Sequence, residues 1–104
     1  MTSLDNKDKL LAAIEDYPLL TKNPKKLLKI LSMFDQPVAA ESLMQTSSLP
    51  KQVVYPALTK LLKAELINRL KHTNSSYYLF EVNKTKLFEV LDLYSKTQAI
   101  KSQI

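Results

Sequence analysis

Few residue types in this chain can carry out covalent or metal chemistry. Among its 104 residues there is no cysteine and a single histidine, His72. Thiolate zinc sites, disulfides, cysteine nucleophiles and histidine clusters are therefore excluded. Glycine is also absent, which excludes the phosphate loops, dinucleotide-binding turns and nucleophile elbows whose backbone needs it. We therefore expect no enzyme activity, no metal site and no cofactor.

Lysine is the abundant charged residue. Fifteen basic residues stand against ten acidic ones, for a net charge of +5 and a pI near 9.4. Residues 21–81 carry nine basic and four acidic groups, whereas residues 1–20 carry two basic and four acidic groups. This distribution favours an anionic partner for the middle of the chain, although an ordinary solvated face is the simpler explanation of such a charge.

Length and composition indicate one small domain. A chain of 104 residues with 45% hydrophobic positions has the size of a single hydrophobic core. No apolar run approaches the roughly 20 residues that a membrane span needs, and the N-terminus lacks the core of a signal peptide. We therefore expect a single domain over residues 1–104, a cytoplasmic location and no membrane association.

Apolar spacing and proline positions predict four helices before residue 66. The first covers residues 5–17 and is stopped by Pro18. The second begins with Asn23 as N-cap and Pro24 at the first helical position, and it ends before Pro37. The third covers residues 38–45. The fourth is capped by Ser48, has Pro50 in its first turn and Gln52 near the reciprocal capping position, and tolerates Pro56 near its start.

The periodicity then changes from helical to alternating. Residues 67–72 and 76–82 predict two strands around a turn at residues 73–75. Asn74 tolerates positive φ and replaces the missing glycine in that turn. A last helix is predicted over residues 84–100. The fold class is therefore mainly α with a small β-hairpin.

This order of elements resembles the winged helix-turn-helix proteins, particularly the ArsR-, MarR- and PadR-type bacterial regulators. Residues 38–43 are similar to the first helix of the motif, and residues 53–67 are similar to its recognition helix and the start of its wing. Tyr55-Pro56-Ala57-Leu58 is especially similar to the PadR recognition helix. Two positions depart from the pattern, because Glu65 and the segment Thr46-Ser47-Ser48 stand where these families commonly use glycine, at some backbone cost.

The resemblance implies a division of labour along the chain. It assigns residues 1–20 to an N-terminal helix, residues 24–82 to the helix-turn-helix core and wing, and residues 84–102 to a C-terminal dimerisation helix. In such folds the recognition helix enters the major groove of DNA with its N-terminal half toward the bases. Glutamine pairs with an adenine edge, and lysine reaches guanine or phosphate. Lys51 and Gln52 are therefore the leading candidates for DNA contact.

The full set of expected DNA contacts comes from the turn, the recognition helix and the wing. It consists of Ser47, Ser48, Lys51, Gln52, Tyr55, Thr59, Lys60, Lys71, Asn74 and Ser75. The alternative for the helical residues is an ordinary solvent-facing surface, and Tyr55 could equally pack against a neighbouring helix. Lys71 is the best wing candidate, because a wing lies along phosphates or in the adjacent minor groove.

Other conspicuous residues have simpler explanations. Arg69, the only arginine, either contacts DNA or pairs with Glu81 across the hairpin. His72 is interpreted as a hairpin side chain. We interpret the pair Tyr77-Tyr78 as core rather than as a stacking platform for single strands, and we interpret Lys25, Lys26 and Lys29 as a solvated helix face.

The last helix carries more apolar residues than one buried face needs, and the surplus predicts a partner chain. The families that the chain resembles dimerise through their terminal helices, which matches a two-fold operator. The alternative is that one face packs on the wing and the other on the first helix. We expect a homodimer whose interface contains Leu10, Leu11, Ile14, Leu87, Val90, Leu91 and Tyr94.

These inferences predict a homodimer that binds double-stranded DNA in a sequence-dependent manner, most simply a transcriptional repressor. Two alternatives remain open. One is a plasmid or phage segregation adaptor that binds repeated centromere sites. The other is a winged helix used only for protein–protein interaction.

Overall fold

The computed structural model describes the backbone of residues 2–71 and 78–103 and the side chains of residues 9–71 and 78–96. Helices predominate, and a small antiparallel sheet joins a short strand before the third helix to the hairpin that follows the fourth. In chain order the elements are α1 (Thr2–Asp16), α2 (Lys22–Met33), β1 (Val38–Ala39), α3 (Ala40–Ser47), α4 (Lys51–Lys63), β2 (Ile67–Lys71), β3 (Tyr78–Val82) and α5 (Lys84–Gln103). The predicted fold class is confirmed.

One hydrophobic core joins the helices and the sheet. Apolar residues recur every three or four positions in α2 and α4, so each helix turns a single apolar face inward. The fully buried side chains are Ile14, Leu27, Leu28, Leu43, Val54, Leu58, Leu61 and Leu87. This packing holds one face of α4 against α2 and α3. The opposite face of α4 is exposed to solvent.

The first two helices begin earlier than predicted. α1 starts at Thr2 rather than Asp5, and α2 is capped by Thr21 rather than Asn23. The Lys25 N–H donates to the Thr21 carbonyl at 3.1 Å. Pro24 therefore lies at the third helical position, not the first. The helix tolerates it there because the N–H groups of a first turn have no intrahelical partner.

Val38 and Ala39 form a strand instead of the start of a helix. They pair antiparallel with β3, with Val38 opposite Phe80 and Ala39 opposite Leu79, and the sheet order is β1-β3-β2. Val38 is β-branched and buried, and such a side chain packs well on a pleated surface. The predicted helix over residues 38–45 is therefore wrong at its start, and α3 begins at Ala40.

Both positions that depart from the glycine pattern have left-handed backbone. Ser48 has φ 60° and Glu65 has φ 63°, and among the residues that the structure describes these two are the non-glycine residues with positive φ. An ordinary residue in this conformation costs about 1–2 kcal/mol. Ser48 consequently ends α3, and its predicted role as N-cap of α4 is wrong, since Pro50 occupies that cap.

The hairpin formed by β2 and β3 has a defined register. Ile67 lies opposite Val82, and Lys71 lies opposite Tyr78. Asn68 faces Glu81, so the side chains of Glu81 and Arg69 leave the sheet on opposite sides. The alternative of an Arg69–Glu81 pair is therefore wrong. The predicted turn at residues 73–75, with His72 before it and Tyr77 after it, lies outside the described residues.

Asn83 connects the hairpin to α5. Its N–H donates to the Leu66 carbonyl at 2.9 Å, and its carbonyl accepts from the Leu87 N–H at 2.9 Å. Its side-chain oxygen accepts from the Lys86 N–H at 3.2 Å. These bonds satisfy donors of the first helical turn. They also fix the start of α5 against the segment that follows α4.

Candidate functional site

The exposed face of α4 is polar and basic. The helix buries Val54, Ala57, Leu58 and Leu61. Its outward residues are Lys51, Gln52, Tyr55, Pro56, Thr59, Lys60 and Lys63. The helix contains three lysines and no acidic residue, so this face attracts an anionic partner.

One row of that face is organised around Tyr55. Lys51, Tyr55 and Thr59 follow one another at intervals of four residues and therefore lie side by side on the helix. The Lys51 Nζ lies 5.8 Å from the centroid of the Tyr55 ring, which is within the range of a cation–π contact. The Thr59 hydroxyl donates to the Tyr55 carbonyl at 3.0 Å. This row is thus held in a defined arrangement before any partner arrives.

The second row contains Gln52, Pro56 and Lys60. These three residues border a groove whose other side is the start of α2, at Thr21, Asn23 and Pro24. Pro56 lacks the N–H that would bond to the Gln52 carbonyl. Because Gln52 and Pro56 are both exposed, water can replace that bond.

A deeper groove separates α4 from the hairpin. It has a volume of about 490 Å³ and is lined by Ala39, Ala40, Glu41, Ser42, Tyr55, Tyr78 and Phe80. On the hairpin side, the guanidinium carbon of Arg69 lies 4.5 Å from the centroid of the Tyr78 ring. Each wall of the groove therefore has a tyrosine with a cation against it, Lys51 on α4 and Arg69 on β2.

The structure brings together most of the predicted contact residues but removes one. Ser47 is only 2% exposed, and its hydroxyl accepts from the Leu49 N–H at 3.2 Å. It therefore holds the turn between α3 and α4 and is not presented to a partner. Ser48 is exposed beside it, and Lys71 is exposed at the end of β2. Asn74 and Ser75 lie outside the described residues.

Sequence reasoning missed the stack of Arg69 on Tyr78. Tyr78 is 42% exposed, so its interpretation as a core residue is wrong. The two residues are diagonal neighbours on one side of the hairpin, because Arg69 lies opposite Phe80. Only the strand register reveals this relation, and the spacing of the sequence alone did not fix that register.

The terminal helices divide the predicted dimer residues into two groups. Ile14 and Leu87 are fully buried in the core of the chain itself, so neither lies on a surface that a second copy could cover. Tyr94 packs edge-on against Tyr17, with ring centroids 5.5 Å apart, and burial raises the pKa of Tyr17. Leu10, Leu11, Val90 and Leu91 are half-buried.

Two apolar side chains of α5 that were not in the predicted interface are exposed. Phe88 is 53% exposed and Leu93 is 64% exposed. Phe88 lines an open groove between α1 and α5 together with Lys9, Leu10, Ala13, Thr85, Glu89, Leu91 and Asp92. The lining of this groove between the terminal helices is mainly apolar.

The lysines of α2 secure α1. The Lys25 ammonium donates to the Glu15 carbonyl at 2.7 Å, and Lys29 forms a hydrogen-bonded ion pair with the Glu15 carboxylate. That hydrogen bond, reinforced by the charge of Lys29, holds the pKa of Glu15 below its ordinary value. Lys26 remains exposed.

The described residues lack a metal-binding cluster and a membrane-spanning helix. These residues contain no group of three or more histidine, cysteine or acidic side chains that could hold a metal ion. Over the same part of the chain, no helix combines the length and apolarity required to cross a membrane.

Comparison with known proteins identifies the architecture. No family model and no curated protein matches the sequence. The structure of the ST1889 protein from the archaeon Sulfolobus tokodaii has a TM-score of 0.63 and 20% identity, and the match covers 98% of this chain and 99% of that one. The adhesin competence repressor AdcR from Streptococcus pyogenes has a TM-score of 0.58 and 20% identity, with 97% of this chain and 77% of that chain covered.

A third match is S. aureus MepR in a DNA-binding conformation, with a TM-score of 0.58, 13% identity, and coverage of 98% of this chain and 78% of that chain. The chain has the winged helix-turn-helix fold. In this winged helix protein, α3 and α4 form the helix-turn-helix, α4 occupies the position that the fold gives to its recognition helix, and β2 with β3 forms the wing. The resemblance stated from the sequence is thereby confirmed as a fold.

Proposed function

We propose that this winged helix protein binds double-stranded DNA in a sequence-dependent manner as a homodimer and acts as a transcriptional repressor. The observation that carries the proposal is the recognition helix, whose exposed face has three lysines, a glutamine and no acidic residue. Arg69 and Lys71 extend this basic surface onto the wing. Similarity to a repressor and to a protein solved in a DNA-binding conformation supports the same function.

The two ends of the recognition helix face different parts of a duplex. Lys51 and Gln52 lie in its first turn, the end that faces the bases when such a helix enters the major groove. Glutamine can bond both the N6 and the N7 of adenine, whereas lysine reaches guanine or phosphate. Lys60 lies two turns further on, where the helix leaves the base edges, and we assign it to phosphate.

The wing supplies the second half of the contact. Lys71 is exposed at the end of β2, and Arg69 precedes it on the same side of the strand. A basic side chain there can follow the phosphates or enter a narrow minor groove. The groove between Tyr55 and Tyr78 then lies under the sugar–phosphate strand that passes between helix and wing.

A second copy of the chain covers the groove between α1 and α5 in this proposal. Phe88 is the anchor, since it is a half-exposed aromatic residue with Leu10, Ala13 and Leu91 around it. Aromatic side chains that fill a partner's pocket dominate interface energies. Glu89, Asp92 and Lys9 border the groove and form a polar rim, as stable interfaces have.

Selection of random duplex DNA by the purified protein tests the function. We expect enrichment of a two-fold symmetric site whose affinity falls steeply with salt, because cations released from phosphates drive binding. Five basic side chains per chain (Lys51, Lys60, Lys63, Arg69 and Lys71) give about ten in a dimer, so the slope of log K against log salt cannot exceed about nine.

Other outcomes of the selection separate the alternatives. Enrichment of clustered direct repeats that the protein binds cooperatively would favour a segregation adaptor over a repressor. An absence of enrichment, with only weak binding at low salt, would contradict DNA recognition and favour a winged helix that binds proteins.

A further inference from the structure

The antiparallel pair α1 and α2 carries a groove separate from the recognition helix, the wing and the groove that contains Phe88. This α1–α2 groove has a volume of about 500 Å³ and is lined by Leu11, Ala12, Lys26, Lys29, Ile30, Met33 and Thr46. Leu11 was expected in the dimer interface, but it faces this groove rather than α5. None of the residues that line the groove is a proposed DNA contact.

The floor of the groove is apolar and shaped for a helix. Met33 is 60% exposed, and Ile30 and Leu11 are half-buried beside it. A valley between two packed helices accepts the side-chain ridge of a third helix. Ala12 is small and permits close approach, and the flexible Met33 side chain adapts to the residue that it meets.

The end of the groove near Lys26, opposite Met33, is positively charged. α2 contains four lysines and no acidic residue, and its first turn has neither an acidic residue nor a side-chain cap. The exposed helix N–H groups add positive partial charge at this end. Lys29 is neutralised by Glu15, whereas Lys26 and Lys22 are exposed. Charge therefore changes along α2, from basic at Lys26, which lines the groove, and at Lys22 one turn before it, to apolar at Met33.

We propose that the α1–α2 groove docks an acidic amphipathic helix of a partner protein. Met33 lies seven positions after Lys26, so the groove is about 10 Å long. It can therefore accept apolar side chains spaced three, four and seven residues apart on a partner helix. The anchors pack on Ile30 and Met33, and carboxylates at the adjoining end of the partner helix pair with Lys26 and Lys22. DNA does not suit this groove, because its exposed thioether and hydrocarbon groups cannot bind phosphate.

A peptide-display selection tests the proposal without knowledge of the natural partner. The full-length protein is used to select from a library of random peptides of about 18 residues, the length of five helical turns. The selection is repeated with Met33→Asp and with Lys26→Glu. Leu19→Asp is the apolar control because Leu19 is 76% exposed outside the groove, and Lys84→Glu is the charge control. Synthetic copies of enriched peptides are then measured by fluorescence anisotropy.

The expected result is enrichment of acidic peptides with amphipathic helical spacing. Their affinity should fall about tenfold or more in both groove variants, as for an interface anchor, and stay unchanged in both controls. No enrichment, or enriched peptides insensitive to Met33→Asp, would overturn the proposal. It would equally be overturned if Met33→Asp converted a dimer to monomers, which would make the groove a contact between copies, or if Lys26→Glu weakened DNA binding while no peptide bound. Intact DNA binding by Met33→Asp would separate a failure here from a failure of the proposed function.

Discussion

The outward faces of α4 and the terminal helix α5 differ in polarity. α4 buries Val54, Ala57, Leu58 and Leu61, and its outward face exposes lysines, a glutamine, a threonine and the half-exposed Tyr55. α5 buries Leu87 but leaves Phe88 and Leu93 largely exposed. Apolar surface exposed to water costs about 25 cal/mol per Å². Covering the largely polar outward face of α4 therefore gives little stabilisation, whereas covering the apolar outward face of α5 lowers the free energy.

The difference assigns a kind of partner to each helix. A polar, basic face with no acidic residue favours an anionic and hydrated partner such as DNA, which is bound by charge and hydrogen bonds. An apolar face centred on an aromatic residue favours a protein surface, where burial dominates. The proposed function therefore assigns DNA binding to α4 and assembly to α5.

The inner face of α4 should matter most to stability. Leu58→Ala removes a fully buried side chain from the core and should lower the free energy of unfolding by about 2–5 kcal/mol. Its neighbour Thr59 is exposed, and Thr59→Ala should change it by about 0.5 kcal/mol or less. Urea denaturation measures both. Equal losses in the two variants would mean that α4 does not divide into a buried and an exposed face.

The apolar face of α5 should control assembly. Phe88→Asp places a charge at the centre of the proposed interface and should produce monomers at concentrations where we expect the natural chain to form dimers. Leu93→Asp is a matched control, because Leu93 is also exposed but lies about 140° further around the helix. Light scattering measures the mass of each variant. A dimer that survives Phe88→Asp would place the interface elsewhere.

The left-handed backbone of Glu65, two residues after the end of α4, should make stability sensitive to glycine at this position. Glu65 has φ 63°, so Glu65→Gly removes the cost of a left-handed side-chain-bearing residue while it adds freedom to the unfolded chain. We expect a net stabilisation of about 0.5–1 kcal/mol. Glu65→Ala keeps the Cβ and should give no such gain. Similar urea midpoints for the two variants would contradict a left-handed Glu65.

The joint between α1 and α2 should produce the smallest effect, which is present at neutral pH and is lost at acid pH. Because the folded protein holds the pKa of Glu15 below its ordinary value, the ion pair stabilises the fold above that value, and the contribution disappears as pH falls through the folded pKa. Glu15→Gln removes this dependence. Melting temperatures between about pH 5 and pH 3 should therefore converge for the two proteins. A constant gap over this range would exclude the Lys29–Glu15 contact as its source.

Sequence periodicity predicted α4 and the face that it exposes, for a simple reason. The spacing of Val54, Leu58 and Leu61 leaves one orientation for α4, so the exposure of Lys51 and Gln52 follows from the same pattern. The special backbone at Ser48 and Glu65 could also be anticipated, because families with this order of elements place glycine at these positions to reach positive φ.

Features that depend on a distant partner were missed. Val38 and Ala39 form a strand only because β3 lies beside them, and two residues carry no periodicity. The stack of Arg69 on Tyr78 depends on strand register, and the burial of Ser47 depends on how α3 ends. Local spacing contains none of this information.

Binding of a selected duplex by the double variant Lys51→Ala with Gln52→Ala tests the central claim most directly. Both residues are exposed at the start of α4, so the melting temperature should stay nearly unchanged. Specific binding should be lost, and only weak, salt-sensitive association that is independent of sequence should remain. Retention of specific affinity by this folded variant would contradict the assignment of α4 as the helix that reads DNA.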